Sequence, residues 1–142
     1  MSRPGPRTGD CTPAEARTRL RQARLSLEAA ELVQAEDLAE AATVATGNAV
    51  LAAIAAADAI CCFVAGVRSR GQDHRQAIAL LQEATGDAAL ARGLREVLDL
   101  KVQRRALAPA GHYGLSNVSQ ANCTAAIRRA RALVEDATTR LM

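Results

Sequence analysis

The feature that most restricts the fold is a long alanine-rich segment over residues 48–67, which reads NAVLAAIAAADAICCFVAGV. Alanine is the best helix former, and apolar residues surround this helix on nearly all sides, as in the central helix of a bundle. Asp58 is the one charged residue inside it. Because an unpaired buried carboxylate costs several kcal/mol, Asp58 either faces a polar partner or marks a site.

The same segment is nearly long enough to span a bilayer, but its composition favours a core helix. Alanine is close to neutral for membrane insertion, and Asp58 lies at the centre, where a charge costs most. The N-terminal segment SRPGPRTGD lacks the apolar core of a secretion signal. We therefore expect a cytoplasmic protein that does not bind a membrane, with a membrane-associated helical protein as an alternative.

Composition extends the helical prediction to the whole chain. Of the 142 residues, 49% are apolar but only 1% are aromatic, and alanine supplies much of the apolar content. β-branched residues are sparse and never alternate over four or more positions, so the sequence predicts no strands. We expect an all-α fold, an antiparallel up-and-down bundle of four to five helices, in a single domain over residues 12–142.

Capping residues place the helices along the chain. After a flexible tail over residues 1–11, Thr12-Pro13-Ala14-Glu15 is a capping box that starts a helix reaching into the thirties. A break is expected over 37–47, before the alanine-rich helix, and the basic turn 68–71 ends that helix. Caps at Asp73, Asp87 and Ser119 start helices over 74–84, 88–105 and from 120 onward, with a loop over 106–118.

The first helix should bury one apolar face and expose a charged one. The expected buried residues are Ala16, Leu20, Ala23, Leu27 and Ala30. The charged side contains Arg17, Arg21, Arg24 and Glu28.

The cysteines and histidines argue against a disulfide framework or a metal centre. The chain has four cysteines, of which Cys61 and Cys62 are adjacent and face different sides of a helix. No Cys-x-x-Cys or Cys/His ligand spacing occurs, and there are only two histidines. We expect reduced, buried thiols, no metal and no cofactor.

The charge is divided unevenly between the two parts of the chain. Residues 1–60 carry a balance of −2 and residues 61–142 a balance of +5, which permits an anionic partner for the second part. A basic cluster, Arg128, Arg129 and Arg131, fans over the exposed side of the last helix, where Arg131 can pair with Glu135. It is interpreted as a solvated face, with an RNA or protein surface as the alternative.

Two further groups of residues could take part in chemistry. His74 lies in the first turn of a helix, where it could contact a ligand phosphate or belong to an ordinary surface. Arg104 and Arg105 precede the loop that contains His112 and Tyr113. A histidine that moves a proton and an arginine that stabilises phosphate charge can together cleave RNA without a metal, although a solvated helix end followed by a loop has the same composition.

The order of these blocks resembles the HEPN superfamily of small all-α domains over roughly residues 14–140. The resemblance rests on AVLAAIAAADAICC with its central Asp58, then GQDHRQAIALL, LREVLDLK, the His-Tyr-Gly tripeptide at 112–114 and a final Ala/Arg helix. The chain is particularly similar to actinobacterial HEPN-type proteins. Members of the superfamily are associated with metal-independent RNA cleavage in toxin–antitoxin and defence systems, and they usually dimerise. Others are catalytically silent and bind RNA, nucleotides or a nucleotidyltransferase partner.

The resemblance implies specific roles for residues of this chain. The catalytic signature is an arginine, four to six residues and a histidine, which Arg105 and His112 match with a spacer of six. Lys101 and Tyr113 match positions that many non-catalytic members fill with a basic residue and a tyrosine. Asp58 and His74 are expected to line or brace the same cleft, in which Arg105 and His112 would be the polar partners of Asp58.

The implied function is that of a homodimer that binds RNA or a nucleotide-associated partner and that could act as an endoribonuclease. The alternative is a silent interaction module, antitoxin-like or paired with a nucleotidyltransferase.

Overall fold

The computed structural model describes residues 8–70, 74–107 and 118–142, with 101–107 described by their backbone alone. In these ranges the chain forms five helices and a small two-stranded sheet. The elements in chain order are β1 (Thr8–Asp10), α1 (Pro13–Gln34), α2 (Ala41–Ala65), β2 (Val67–Ser69), α3 (His74–Thr85), α4 (Ala88–Leu107) and α5 (Gln120–Leu141). The all-α prediction is confirmed at the level of fold class.

The predicted caps that fall on described residues are present. Thr12 Oγ1 accepts a hydrogen bond from the Glu15 amide at 3.1 Å, and Glu15 Oε1 accepts one from the Thr12 amide at 3.2 Å, so the capping box at the start of α1 is complete. Asp87 Oδ1 caps α4 through the Leu90 amide at 3.0 Å. Ser119 Oγ caps α5 in the same way. Asp73, expected to cap α3, lies outside the described residues.

Helix α2 is the centre of the domain and contacts each of the other four helices. Its buried residues are mostly alanines, and one continuous core joins them to apolar side chains of every helix. Because an alanine side chain buries little area, neighbouring helices must approach α2 closely to gain stability. The predicted buried face of α1, Ala16 to Ala30, belongs to this core.

The predicted boundaries of α2 are wrong at both ends. The helix begins at Ala41, inside the expected break. Within this first part of the helix, Thr46 Oγ1 donates to the Ala42 carbonyl at 2.7 Å. Asn48 Nδ2 donates to the Val44 carbonyl in the same manner at 3.3 Å. These bonds to the preceding turn let polar residues remain helical. The helix ends at Ala65 because Gly66 adopts a left-handed conformation with φ 69°, which glycine tolerates best.

The prediction that the chain forms no strands is also wrong. Residues 67–69, expected to continue or end the second helix, form β2, and residues 8–10, expected in the flexible tail, form β1. The two strands pair antiparallel, with Gly9 opposite Arg68. Strands of three residues are too short to show a hydrophobic alternation, so the pattern had nothing to detect.

The cysteine prediction is wrong for one pair and right for the other. Cys11 and Cys62 form a disulfide with a Cα–Cα distance of 5.3 Å, which lies within the usual range. Cys61 and Cys123 are buried free thiols, as expected. The disulfide joins a residue just before α1 to the last turn of α2, and no sequence spacing indicates that these two places meet.

By length and composition α2 could also cross a membrane. However, 67% of its most apolar window is buried inside the domain. The one carboxylate in the helix has a partner within the domain, as described below. This degree of burial is typical of a core helix.

Candidate anion-binding site

The buried carboxylate of Asp58 is paired with Arg19 of α1. Arg19 Nε and Nη2 donate to the same oxygen, Oδ2, at 3.1 and 3.0 Å. Arg19 Nη1 donates to Gln22 Oε1 at 2.9 Å, which fixes the orientation of the guanidinium. The side chain of Asp58 is 9% exposed and that of Arg19 is 32% exposed, so the pair lies at the edge of the core and one partner reaches solvent.

Burial and the ion pair act on the Asp58 carboxyl in opposite directions. Burial raises the pKa of Asp58 above its usual value of 3.8, and the charge and hydrogen bonds of Arg19 offset part of that rise. Arg68 and His74 lower this pKa by smaller amounts. The pKa of Asp58 stays above its usual value, because the loss of hydration destabilises the carboxylate more than the neighbouring charges and hydrogen bonds stabilise it.

Two more arginines reach the same place from β2. The left-handed turn at Gly66 directs β2 back past the end of α2, and Arg68 and Arg70, two residues apart in an extended segment, share one face of it. The pairing of β1 with β2 holds this segment in position. The aliphatic stem of Arg70 crosses Gly9 in space that a β-carbon would occupy.

These residues surround a depression of about 310 Å³, here called the basic cleft. It is lined by Arg19, Ile54, Asp58, Arg68, Ser69, Arg70, His74 and Ala77. Three arginines and one carboxylate therefore line the same depression. Arginine presents several donors in a planar fork that matches phosphate oxygens, so this combination suits an anionic ligand.

Arg68 and Arg70 have no carboxylate partner within the described residues, unlike Arg19 beside them in the basic cleft. Both are exposed. On α5, by contrast, Arg129 pairs with Glu96 and Arg131 with Glu31, each at 2.7 Å. The expected pairing of Arg131 with Glu135 is replaced by this bond to α1. The basic cluster of α5 is thus largely neutralised across helices.

A second, smaller depression of about 230 Å³ lies on the other side of the Arg19–Asp58 pair. Its lining includes both cysteines of the disulfide, and it shares Arg19, Asp58 and Arg68 with the basic cleft. Cys61, the neighbour of the disulfide in sequence, is not suited to react, because burial and the charge of Asp58 raise its pKa to about 12.

The residues predicted to form a site are only partly described. Asp58 and His74 line the basic cleft together. Lys101, Arg104 and Arg105 belong to the backbone of α4, but their side chains lie outside the described part of the structure. His112 and Tyr113 are outside the described residues altogether. The partner that the structure does give to Asp58 is Arg19, which sequence reasoning missed.

Sequence reasoning also missed Arg68 and Arg70, which were interpreted as the basic end of a helix. One signal was present for Arg19. It lies three residues after Ala16 and four before Ala23, at the border of the buried face, where a long side chain can reach the core. The only signal for Arg68 and Arg70 was their spacing of two residues after Gly66, which is typical of one face of a strand. This signal is weak in a segment this short.

The chain matches no family model, no curated protein and no solved structure. Within the described residues, no group of three or more histidine, cysteine or acidic side chains could hold a metal ion.

Proposed function

We propose that this chain is a HEPN-type helical domain, an antiparallel up-and-down bundle, that binds RNA through phosphate groups at the basic cleft. The observation that supports this best is the convergence of Arg19, Arg68 and Arg70 on one depression that contains a single carboxylate. Guanidinium groups recognise phosphates through paired, charge-assisted hydrogen bonds. Arg68 and Arg70 are exposed, so a phosphate of a polymer can reach them from solvent.

The mode of binding should be electrostatic rather than base-specific. The chain has one phenylalanine, one tyrosine and no tryptophan, so it offers little aromatic surface for stacked bases. The proposed ligand contacts are the phosphates, held by Arg68 and Arg70. His74 lies at the start of α3, where the helix amides add to the favourable field.

A salt titration tests this proposal. Fluorescence anisotropy of a labelled single-stranded RNA of about twenty nucleotides should rise with protein concentration at low salt. Contact with two to three phosphates should give a slope of about −1.5 to −2 in log affinity against log salt. Binding that does not depend on salt, or no binding at low salt, would contradict the proposal. Displacement by a mononucleotide at lower concentration than by RNA would make a nucleotide the ligand instead.

The nuclease activity is a further part of the proposal and rests on the HEPN resemblance. Arg105 would stabilise charge on the phosphate, and His112 would act as general base or acid. Incubation of the labelled RNA with wild type should produce cleavage in the presence of EDTA, and His112→Ala should remove it. Equal cleavage by both proteins, or none by either, would leave an RNA-binding domain without this activity.

Self-association is supported by an apolar seam on α2, formed by Val44, Gly47 and Leu51. Val44 and Leu51 are 52% and 57% exposed, and a β-carbon at Gly47 would meet nothing within 4 Å. If two copies pair antiparallel across this seam, Leu51 of each faces the open position at Gly47 of the other. The seam is therefore self-complementary, as a two-fold interface requires.

The dimer can be tested by light scattering. We expect a mass near twice 14.9 kDa for wild type and a monomer for Leu51→Glu, because a charge in the apolar seam has no partner. Leu25→Glu is the matched control, since Leu25 is 65% exposed on α1 and lies outside the seam. A monomeric wild type at tens of micromolar would contradict the interface.

A further inference from the structure

The disulfide between Cys11 and Cys62 is the covalent support of the small sheet. Residue 11 follows β1 directly, and Cys62 lies in the last turn of α2. One hydrogen bond, from the Cys11 amide to the Gly66 carbonyl at 2.9 Å, accompanies the disulfide. Isolated two-stranded ribbons are marginally stable, so three paired residues would not hold β1 in place without such a link.

The sheet in turn positions half of the basic cleft. Arg68 pairs with Gly9 across the ladder, and the stem of Arg70 lies over Gly9. Loss of β1 would leave Arg68 and Arg70 on a segment without strand pairing, held by the contacts of β2 with α2 and α3. Arg19 and Asp58 would keep their places, because both belong to long helices packed in the core.

We propose that Cys11–Cys62 is a thiol–disulfide exchange site for low-molecular-weight thiols, and that its reduction weakens anion binding at the basic cleft. The second half of this inference rests on the proposed function. It also resolves the conflict between a disulfide and the expected cytoplasmic location, because disulfides in reducing compartments are usually transient or redox-sensing.

The geometry decides which sulfur reacts. Both cysteines line the smaller depression, but Cys62 is 1% exposed, whereas Cys11 is only partly buried. A thiolate entering there attacks Cys11 Sγ, forms a mixed disulfide and releases Cys62 as a thiolate that takes up a proton. A second thiol then attacks the reagent sulfur and frees Cys11. In total two thiols become one disulfide, and two electrons and two protons pass to the protein.

The test compares the full chain in both redox states. After denaturation the oxidised protein should titrate two thiols, Cys61 and Cys123, and the reduced protein all four. Hydrogen–deuterium exchange should be faster in peptides that contain residues 8–10 or 67–69 after reduction, while exchange in α5 stays the same. The RNA affinity should fall about tenfold, the size expected when two arginine side chains must be ordered on binding.

Two variants distinguish the effect of the Cys11–Cys62 disulfide from a general loss of structure. Cys11→Ser should behave like the reduced wild type and should not respond to reductant. Cys123→Ser, which alters a buried free thiol, should keep the full response. Four titratable thiols after treatment with a mild oxidant, or equal exchange in both states, would overturn the inference. If RNA fails to bind in either state, the proposed function fails, and the exchange experiment still decides on the disulfide.

Discussion

Replacing Arg19 by methionine should lower the free energy of unfolding by about 2–3 kcal/mol at pH 7. Removal of one partner from a fully buried ion pair costs about 3–5 kcal/mol, because the remaining charge is left without compensation. The side chain of Arg19 is 32% exposed, so solvent screens part of the interaction and the expected loss is smaller. Methionine keeps most of the apolar stem and therefore limits the change to the charge. Urea titration measures the difference.

The pH dependence identifies the cause of this loss. In wild type, burial raises the pKa of Asp58 above its unfolded value, so the folded protein binds this proton more tightly than the unfolded chain. The stability contribution of Asp58 is therefore largest below pH 3.8 and is lost as pH rises through the folded pKa. Without Arg19 the folded pKa rises further, and the decline extends to higher pH.

Asp58→Asn is the control for the carboxylate. This variant should lack the pH-dependent decline, and Arg19→Met should cost less in its background than in wild type, because no buried charge remains. An Arg19→Met protein that keeps the wild-type pH profile would show that the ion pair does not compensate Asp58.

Replacing Arg68 and Arg70 together by glutamine should weaken RNA binding about tenfold to a hundredfold. A hydrogen bond to a charged group contributes about 1.5–3 kcal/mol at most, and part of each contact is regained through water. Both side chains are exposed, so the free energy of unfolding should change by less than about 0.5 kcal/mol. The expected effect is thus on the affinity alone.

Arg95→Gln combined with Arg128→Gln is the matched control, since it removes the same charge from exposed positions on α4 and α5. We expect this protein to bind RNA within about twofold of wild type, because distant exposed charges are screened at physiological salt. Equal weakening in both double variants would mean that net charge, and not the basic cleft, determines the affinity.

The sequence contained enough information for the helices and too little for the site. The caps at Thr12, Asp87 and Ser119 act through bonds over three residues, so a short window of sequence contains both partners. The burial of the alanine-rich helix likewise follows from composition. The early start of α2 was missed because Thr46 and Asn48, which usually disfavour helix interiors, bond to the preceding turn instead.

The components of the basic cleft are far apart in sequence and meet only through tertiary structure. Arg19 and Asp58 are 39 residues apart, and Cys11 and Cys62 are 51 apart. The need of Asp58 for a cation was predictable from burial, but the choice among eighteen basic residues was not. That choice depends on how α1 is rotated against α2, which no local pattern specifies.

The most direct test of RNA binding at the basic cleft is to locate bound RNA on the protein by NMR. The oxidised, isotope-labelled full chain is titrated with the single-stranded RNA, and the arginine Nε–H and histidine ring signals are followed with the amides. The largest shifts are expected at Arg19, Arg68, Arg70 and His74. Shifts confined to the arginines of α5, with the signals of the basic cleft unchanged while RNA is bound, would contradict the proposed binding site.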